Sequence, residues 1–498
     1  CMSCADSTKI KLGVIIMYMK LITTSVVSLG LLLGGSQAFA KADWADDASK
    51  PKGYVAKTAD GTKPNPLFYG DPPAAGRWDG GPSPIEAEGG CTGDAMEAGT
   101  VIQNSNLDAV TNLCFEGKTV GSMITENVEW MIRNKALMIN TRHSEFIEMD
   151  PKYMQATIDG APNVVYGAPA NGSNCGVVSN WTAGMFFDPQ KVSMDDPDAG
   201  CKLIWNLRSP TYGATMDLRH ISWVFLDATS GMERIQRWWA RRYYMEGRLD
   251  GGPVSEGKGD ILQKTVLVAI YPQDIKGIGI FSVRYNDPTS QKPDDVYAYL
   301  KSVRRARRLS GNAWMDPIGG TVQLYDDWDI WDAVPTKYKE VKLTGKRWIW
   351  AIAHAPLVTV DLAFKNTIKE FPAVDMDTPP HFFPNEQVQW EPREVYVIEG
   401  TPPDEHPYSK KIVYMEMDYP RPYLGEAYDK NGKFWKTFIF QNRIDYGDDG
   451  YQALMPVVGH IIDWKAEFST TWSSNMKANP DSVQEEDVTL KTLIQLAR

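Results

Sequence analysis

The sequence predicts a mainly β protein of the α+β class, built around a meandering antiparallel sheet. Three observations support this prediction: short segments rich in β-branched and aromatic residues recur after residue 203, turn residues separate them, and no long helical pattern lies between them. The chain shows no internal repeat, which argues against a solenoid or a propeller.

Seven segments of the second half are predicted to be strands. Turn sequences lie between them, for example at residues 286–288 (Asn-Asp-Pro) and 430–433 (Lys-Asn-Gly-Lys). The alternation of apolar and polar residues is imperfect, as expected of strands that bury parts of both faces. The predicted strands are residues 265–270, 279–285, 296–300, 348–353, 393–399, 411–416 and 434–440.

The chain before residue 203 has a different character. Residues 41–120 form a lead segment rich in Gly, Pro, Asp and Ala, which predicts irregular structure. A helix is expected to begin after Thr125 as its N-cap, because Val128, Met131, Ile132 and Lys135 follow at helical spacing. The main domain is therefore predicted over residues 121–498, with its sheet mostly after residue 203.

The N-terminal region has the pattern of a cleavable signal peptide. Residues 21–35 are an apolar run preceded by Lys20 and followed by the small-residue site Ala38-Phe39-Ala40. A spanning helix needs about 20 apolar residues, so this run is too short to be a stable membrane anchor. We expect residues 1–40 to comprise an upstream artefact of a misplaced start and the signal peptide, and the mature protein to be periplasmic, assuming a Gram-negative bacterium.

The formal net charge of −11 argues against a general affinity for nucleic acid. Four cysteines remain after the predicted cleavage: Cys91, Cys114, Cys175 and Cys201. In an oxidising compartment an even number suggests disulfides. Three connectivities are possible, and the pairing of nearest neighbours, Cys91 with Cys114 and Cys175 with Cys201, is the one we expect.

No recognised catalytic motif is present in the sequence. There is no GxSxG elbow, no GxGxxG that opens a βαβ unit and no P-loop. The six histidines are scattered outside HxH or HExxH spacing, so neither a metal site nor a cofactor is predicted. These observations lower the expectation of an enzyme without removing it.

Several segments of the β-rich half resemble the DUF1329 family of exported proteins, which are described as outer-membrane lipoprotein-sorting-like. The resemblance covers roughly residues 120–498, and the order of its short motifs is specific. The matching segments are residues 204–206 (IWN), 279–285 (GIFSVRY), 296–300 (VYAYL), 304–310 (RRARRLS), 393–401 (REVYVIEGT), 406–411 (HPYSKK) and 428–436 (YDKNGKFWK).

This resemblance implies a fold similar to the carriers LolA and LolB: a strongly curved antiparallel sheet, or half-barrel, covered by helices and loops. Such folds hold an apolar cavity between the sheet and its cover. The family resemblance further implies a periplasmic carrier for a lipid or another hydrophobic or amphipathic molecule. A resistance-nodulation-division type transporter is the expected partner.

The arginines Arg304, Arg305, Arg307 and Arg308 are the first candidate ligand-binding residues. In a strand, Arg304 and Arg308 would lie on one face and Arg305 and Arg307 on the other. Those that face the cover would need a carboxylate partner or an anionic ligand. The functional interpretation is a head-group or carboxylate clamp at the cavity mouth, and the favoured structural alternative is an ion-pair network with acids such as Asp326, Asp327 or Glu399.

Aromatic residues supply the other candidates, Trp238, Trp239, Tyr285 and Tyr299. Their amphipathic rings could line a ligand mouth or touch a membrane interface, beside the cations of the segment 238–244 (WWARRYY). The favoured alternative for that segment is a strand whose rings pack in the core.

Two other classes of function stay open at this stage. One is a secreted carbohydrate-active hydrolase with aromatic platforms and a carboxylate pair. The other is a non-enzymatic envelope assembly partner without a small ligand, suggested by the proline-rich lead segment.

Overall fold

The computed structural model describes residues 90–289, 291–301, 304–309, 313–356, 374, 379–382, 384 and 388–497. The predicted signal peptide and residues 41–89 of the predicted lead segment lie outside these residues. The described part is dominated by strands. They are β1 (Val101–Ile102), β2 (Cys114–Phe115), β3 (Lys118–Thr119), β4 (Ile139–Thr141), β5 (Val165–Pro169), β6 (Gly176–Ser179), β7 (Thr215–Asp227), β8 (Gly231–Tyr244), β9 (Ile261–Tyr271), β10 (Gly279–Tyr285), β11 (Asp295–Leu300), β12 (Arg305–Arg308), β13 (Glu340–Ala351), β14 (Gln389–Thr401), β15 (Lys410–Glu416), β16 (Pro422–Tyr428), β17 (Phe434–Tyr446), β18 (Gln452–Asp463) and β19 (Phe468–Ala478).

Short helices accompany the strands. The α-helices are α1 (Leu107–Val110), α2 (Glu126–Arg133), α3 (Pro151–Gly160), α4 (Ala199–Trp205) and α5 (Leu490–Leu496). The 3-10 helices are Val120–Met123, Ala161–Asn163, Pro189–Lys191, Asn206–Arg208, Ala313–Met315, Tyr325–Ile330, Pro335–Lys337 and Glu485–Asp487.

One curved, open sheet organises the molecule, as the sequence predicts. Its strands follow the order β1-β4-β14-β15-β16-β17-β18-β19-β7-β8-β9-β10-β11-β12, and β13 also pairs with β14. Neighbouring strands are antiparallel except β14 and β4, which run parallel. The remaining strands form two hairpins, β2 with β3 and β5 with β6. All seven predicted strands are present, most of them longer than predicted.

Both faces of the sheet are covered. The front face, which carries Trp223 and Phe438, packs against residues 147–212 and 313–338. The back face, which carries Val224 and Ile439, packs against residues from 96 to 139. At the β9–β10 end, the back face packs against Leu493 of α5. Every residue of β16 is buried, as expected of a strand between two apolar layers.

The helix predicted after Thr125 is confirmed, but it ends at Arg133, and Lys135, with φ of 59°, lies beyond it. The Thr125 side chain accepts a hydrogen bond of 3.2 Å from the Val128 backbone N–H, which satisfies one of the free donors of the first turn of α2. Val128, Met131 and Ile132 are buried on the sheet side of this helix.

Residues 90–120, which the sequence assigns to the irregular lead segment, carry β1, β2, β3 and α1. Ile102 and Phe115 are fully buried in the back-face core. These apolar side chains pack this part of the segment against the back face of the sheet. They follow neither a helical nor a strand period in the sequence.

Candidate functional site

A cavity of about 160 Å³ lies between the front face of β7–β11 and residues 313–338, here called the cover segment. Alternate residues of each strand reach it, because side chains that are two apart share one face of a sheet. Its walls are largely apolar or aromatic. The apolar and aromatic lining consists of Leu218, Ile221, Trp223, Ala240, Leu267, Ile280, Val296, Trp314, Ile318, Tyr325 and Trp328.

One end of this cavity is polar, and there an ion pair connects the sheet to the cover segment. Arg284 of β10 donates two hydrogen bonds to the carboxylate of Asp332, one of them of 2.8 Å from Nη1 to Oδ1. Its Nε also donates to Asp294 Oδ2 at 3.2 Å. Both carboxylates that line this cavity therefore pair with the guanidinium of Arg284.

A smaller pocket of about 30 Å³ adjoins the polar end. It shares Arg242, Arg284 and Asp332 with the main cavity, and Arg208 contributes a further guanidinium. The Arg208 Nη1 donates to the Asp332 backbone oxygen at 3.3 Å. The cavity is thus amphipathic, with an apolar body and a cationic end.

The cations at this end outnumber the carboxylates. Within the described residues, Arg208, Arg242 and Lys337 have no carboxylate oxygen within 4.0 Å. Arg284 holds both Asp294 and Asp332, and the third carboxylate, Asp329 of the adjoining pocket, lies 3.3 Å from Nη1 of Arg421. Burial, followed by repulsion from Arg284, lowers the pKa of Arg208 to about 10. Burial also lowers the pKa of Lys337. The local potential is therefore positive.

A buried ion-pair cluster anchors the cover segment to β15. The Lys411 Nζ lies 2.8 Å from Asp326 Oδ2 and 2.9 Å from Asp327 Oδ1, and all three side chains are fully buried. Tyr408 donates to Asp327 at 2.8 Å, and Tyr338 donates to Asp326. Burial would raise the pKa of Asp326, but Lys411 and His406 more than offset this and lower it to about 2.

The four candidate arginines lie on or next to β12, the strand that pairs with β11 on the side away from β10. They flank or form β12, which ends the described sheet, and all four are exposed. Arg305 and Arg307 pair with Leu300 and Ala298 and so share the front face. Arg308 is on the back face and pairs with Asp295.

The ion-pair partners proposed from the sequence for these arginines are not the ones observed. Asp326 and Asp327 pair with Lys411, and Glu399 pairs with Lys410 at 3.2 Å. The physical reason is position, because an edge strand leaves its arginines in water, where no buried carboxylate is needed.

The aromatic candidates divide between the two faces. Trp238 is on the front face, buried, and packs edge-on against the cavity residue Trp223 with ring centroids 5.3 Å apart. Trp239 faces the back and donates to Asp217 at 2.9 Å. Tyr299 is buried in the back-face cluster around α5, and Tyr285 packs against that cluster and donates to Asp295 at 2.9 Å. None of the eight candidates is among the side chains that line the cavity.

Sequence reasoning missed the residues that do line the polar end. Arg242 and Arg284 lie in the segments 238–244 and 279–285. The candidates predicted from these two segments were their neighbours Trp238, Trp239 and Tyr285. For Arg284 the available signal was an arginine within a predicted strand, between Val283 and Tyr285, since a cation there needs a partner. Arg242 follows Arg241, so the sequence gives no such signal for it.

Both predicted disulfides are confirmed. Cys91 bonds to Cys114, and Cys175 bonds to Cys201. The second bond connects the start of β6 to α4, and the 3-10 helix that follows α4 carries Arg208.

Metal and membrane features can be stated only for the described residues. Among them, no group of three or more His, Cys, Asp or Glu side chains is placed to hold a metal ion. No helix in the same part of the chain is long and apolar enough to cross a membrane.

The carboxylates of the cavity are poorly suited to glycoside hydrolysis. A general acid needs a raised pKa. Burial would raise the pKa of Asp332, but Arg284 more than offsets it and the pKa is lowered. Asp294, the other carboxylate, is held by the same arginine.

The DUF1329 family, which is described as proteins of unknown function, matches residues 101–493. The chain belongs to the DUF1329 family. None of the curated proteins matches it. Because the DUF1329 family has no assigned function, the site itself has to indicate one.

Solved structures with low similarity include other DUF1329 and LolA superfamily proteins. A DUF1329 family protein from Desulfovibrio piger is 15% identical, with 60% of this chain and 99% of that chain covered and a TM-score of 0.40. A Vibrio parahaemolyticus domain assigned to outer membrane lipoprotein sorting is 17% identical, with 60% and 99% covered and a TM-score of 0.39. A LolA superfamily protein from Nitrosomonas europaea is 14% identical, with 59% and 98% covered and a TM-score of 0.35.

Proposed function

We propose that this DUF1329 protein is a periplasmic carrier or binding protein for a hydrophobic or amphipathic ligand. The observation that carries the proposal is the cavity under the cover segment, with apolar walls and a cationic end. Concave apolar sites with a few placed polar groups are the usual form of small-molecule sites. An apolar ligand body would gain about 25 cal/mol for each Å² of surface removed from water.

The compartment follows from the sequence and from the disulfides. The predicted signal peptide directs export, and two disulfides suit an oxidising compartment. The ligand would therefore be met between two membranes. The expected partner is an envelope transporter of the resistance-nodulation-division type, which rests on the family resemblance alone.

The proposal is tested by measuring the uptake of a neutral fluorescent hydrophobe, N-phenyl-1-naphthylamine, by the purified protein. Lipids extracted from the same preparation are identified by mass spectrometry. We expect saturable binding or a co-purified amphiphile. A folded protein that retains no lipid and takes up no hydrophobe would overturn the proposal.

A cavity-filling variant locates the binding. Ala240 is buried in the cavity wall between Leu218 and Leu267, so Ala240→Phe should weaken uptake by about tenfold or more. Ala306→Phe, on the back face of β12, is the control and should bind as the wild type does. Ser282→Leu, at a half-buried cavity position, replaces Ala240→Phe if that variant does not fold.

A further inference from the structure

Arg242 has an environment unlike that of its neighbour in the chain. Arg241 points to the back face, where its Nη1 lies 3.0 Å from Asp487 Oδ1. Arg242 points to the front face, lines both the main cavity and the adjoining pocket, and is half-buried. Its one described side-chain hydrogen bond is a long one, 3.4 Å from Nε to the Thr265 hydroxyl. Two adjacent arginines on one strand therefore differ in that only Arg241 has its charge balanced.

The carboxylates near Arg242 are already paired with other arginines. Asp332 receives two hydrogen bonds from Arg284, and Asp294 receives a third from the same guanidinium. Asp329, which also lines the adjoining pocket, pairs with Arg421 at 3.3 Å. Arg208 and Lys337 add positive charge at this end. A partly desolvated guanidinium without a carboxylate is costly unless an anion reaches it.

The space beside Arg242 limits the size of that anion. The adjoining pocket has a volume of about 30 Å³. A single water needs roughly 10–15 Å³, so the pocket has room for only two or three atoms of that size. A planar carboxylate with two oxygens fits this space better than a bulky head group. The forked guanidinium of arginine also matches the two carboxylate oxygens.

We propose that the cavity binds a hydrophobic carboxylic acid, with its apolar body along the front face of β7–β11 and its carboxylate on Arg242. This inference rests on the proposed function and adds the ligand class. Arg208 and Lys337 contribute positive potential, and Arg284 stays in its ion pairs with Asp294 and Asp332 and holds the cover segment in place.

The test compares three ligands with the same twelve-carbon chain. Dodecanoate, methyl dodecanoate and dodecyl phosphate each displace N-phenyl-1-naphthylamine from the wild type, Arg242→Gln and the control Arg241→Gln. A charge-assisted hydrogen bond in a desolvated site is worth about tenfold or more in affinity. We expect dodecanoate to bind the wild type at least about tenfold more tightly than its methyl ester.

In Arg242→Gln the acid should lose at least about tenfold in affinity, and with it most of its preference over the ester. Arg241→Gln should keep the preference. Should Arg242→Gln not fold, Arg242→Lys, which keeps the charge without the fork, should show a reduced preference.

The outcomes separate the two proposals. If the wild type binds the neutral dye but takes acid and ester equally, the ligand class is wrong and the carrier proposal stands. If it binds neither the dye nor any of the three ligands, both fail. Tighter binding of dodecyl phosphate than of dodecanoate would overturn the carboxylate assignment.

Discussion

His460 is a fully buried histidine in the middle of β18. Its Nδ1 donates to the Phe382 backbone oxygen at 2.9 Å, and its Nε2 faces the Gln441 amide nitrogen at 2.7 Å. If Nε2 of His460 carried a proton, it and the Gln441 amide N–H would be two hydrogen-bond donors facing each other. Burial lowers the pKa of His460 to about 4.

This histidine should make the protein acid-sensitive. Because its folded pKa lies below the ordinary value of 6.5, the unfolded chain binds the proton more tightly. The stability from His460 is complete above pH 6.5 and is lost as the pH falls towards 4, a loss of about 3 kcal/mol. Urea unfolding across this range should show a weaker pH dependence for His460→Gln than for the wild type.

The control for this prediction is His143→Gln. The His143 side chain is 58% exposed, so this substitution should change the pH dependence less than His460→Gln does. An identical acid response of His460→Gln and the wild type would contradict the assignment.

Lys411 is the second residue on which stability depends, since it balances two buried aspartates of the cover segment. Removing one partner of a buried pair strands the other charge, so Lys411→Met should lower the free energy of unfolding by about 3–5 kcal/mol. Hydrogen exchange should also rise in residues 313–338.

The neighbouring Lys410 provides a matched control. It pairs with one half-buried carboxylate, Glu399, at 3.2 Å. Lys410→Met should therefore cost less than Lys411→Met, because water still reaches the single carboxylate that it leaves unpaired, whose side chain is 27% exposed. Equal losses in the two variants would show that the buried cluster is not the anchor.

At the scale of the element, β12 presents a described sheet edge with Arg304, Arg305, Arg307 and Arg308 exposed. Exposed edges invite pairing with other chains, and charged side chains discourage it. Edge protection therefore accounts for the arginine cluster without a ligand, while a role of these arginines as a ligand clamp at the cavity mouth stays a prediction.

Replacing Arg305 and Arg307 with threonine should increase self-association, because repulsion at the edge is removed and a β-favouring residue takes its place. Light scattering over a concentration series would show a higher average mass than for the wild type. A control with Lys152→Thr and Lys191→Thr removes two exposed charges away from the sheet edge. An average mass equal to that of the wild type would refute the edge interpretation.

The sequence predicted some elements well and others poorly, for a physical reason. Strands rich in β-branched residues and bounded by turns, such as β10 and β15, were predicted. The strands β16 and β18 were not, since β16 is buried throughout and β18 nearly so, and they lack a two-residue alternation.

Faces within a strand were harder to assign than the strands themselves. Register shifts between Leu218 and Ile221, and between Arg237 and Trp238, reverse which residues face the cover. A one-residue slip moves every side chain to the other face, so nominating Trp239 instead of Arg242 needed only such a slip.

At the scale of the whole molecule, the polar end of the cavity assembles from five separate stretches of chain. Arg208 follows α4, Arg242 and Arg284 are on different strands, Asp294 precedes β11, and Asp332 belongs to the cover segment. No local spacing joins these residues, so a single sequence could not reveal the site. The family resemblance predicted a cavity in the right place but not its lining.

Ligand binding should stabilise the whole molecule. A ligand at a hundred times its dissociation constant adds about 2.7 kcal/mol to the free energy of unfolding, provided it binds only the folded state. Urea unfolding with and without N-phenyl-1-naphthylamine would measure this. Ala240→Phe should show no such gain, and a gain equal to that of the wild type would place the binding elsewhere.

Three of the seventeen tryptophans, Trp223, Trp314 and Trp328, line the cavity. Trp328 also stacks on Trp472, with ring centroids 5.8 Å apart. Bromine quenches indole fluorescence on contact. A bound brominated fatty acid should therefore quench the fluorescence of these three tryptophans but not that of tryptophans on the far side of the sheet. The tryptophans of the cavity wall therefore report ligand binding, and occupancy can be followed by the intrinsic fluorescence of the unlabelled protein.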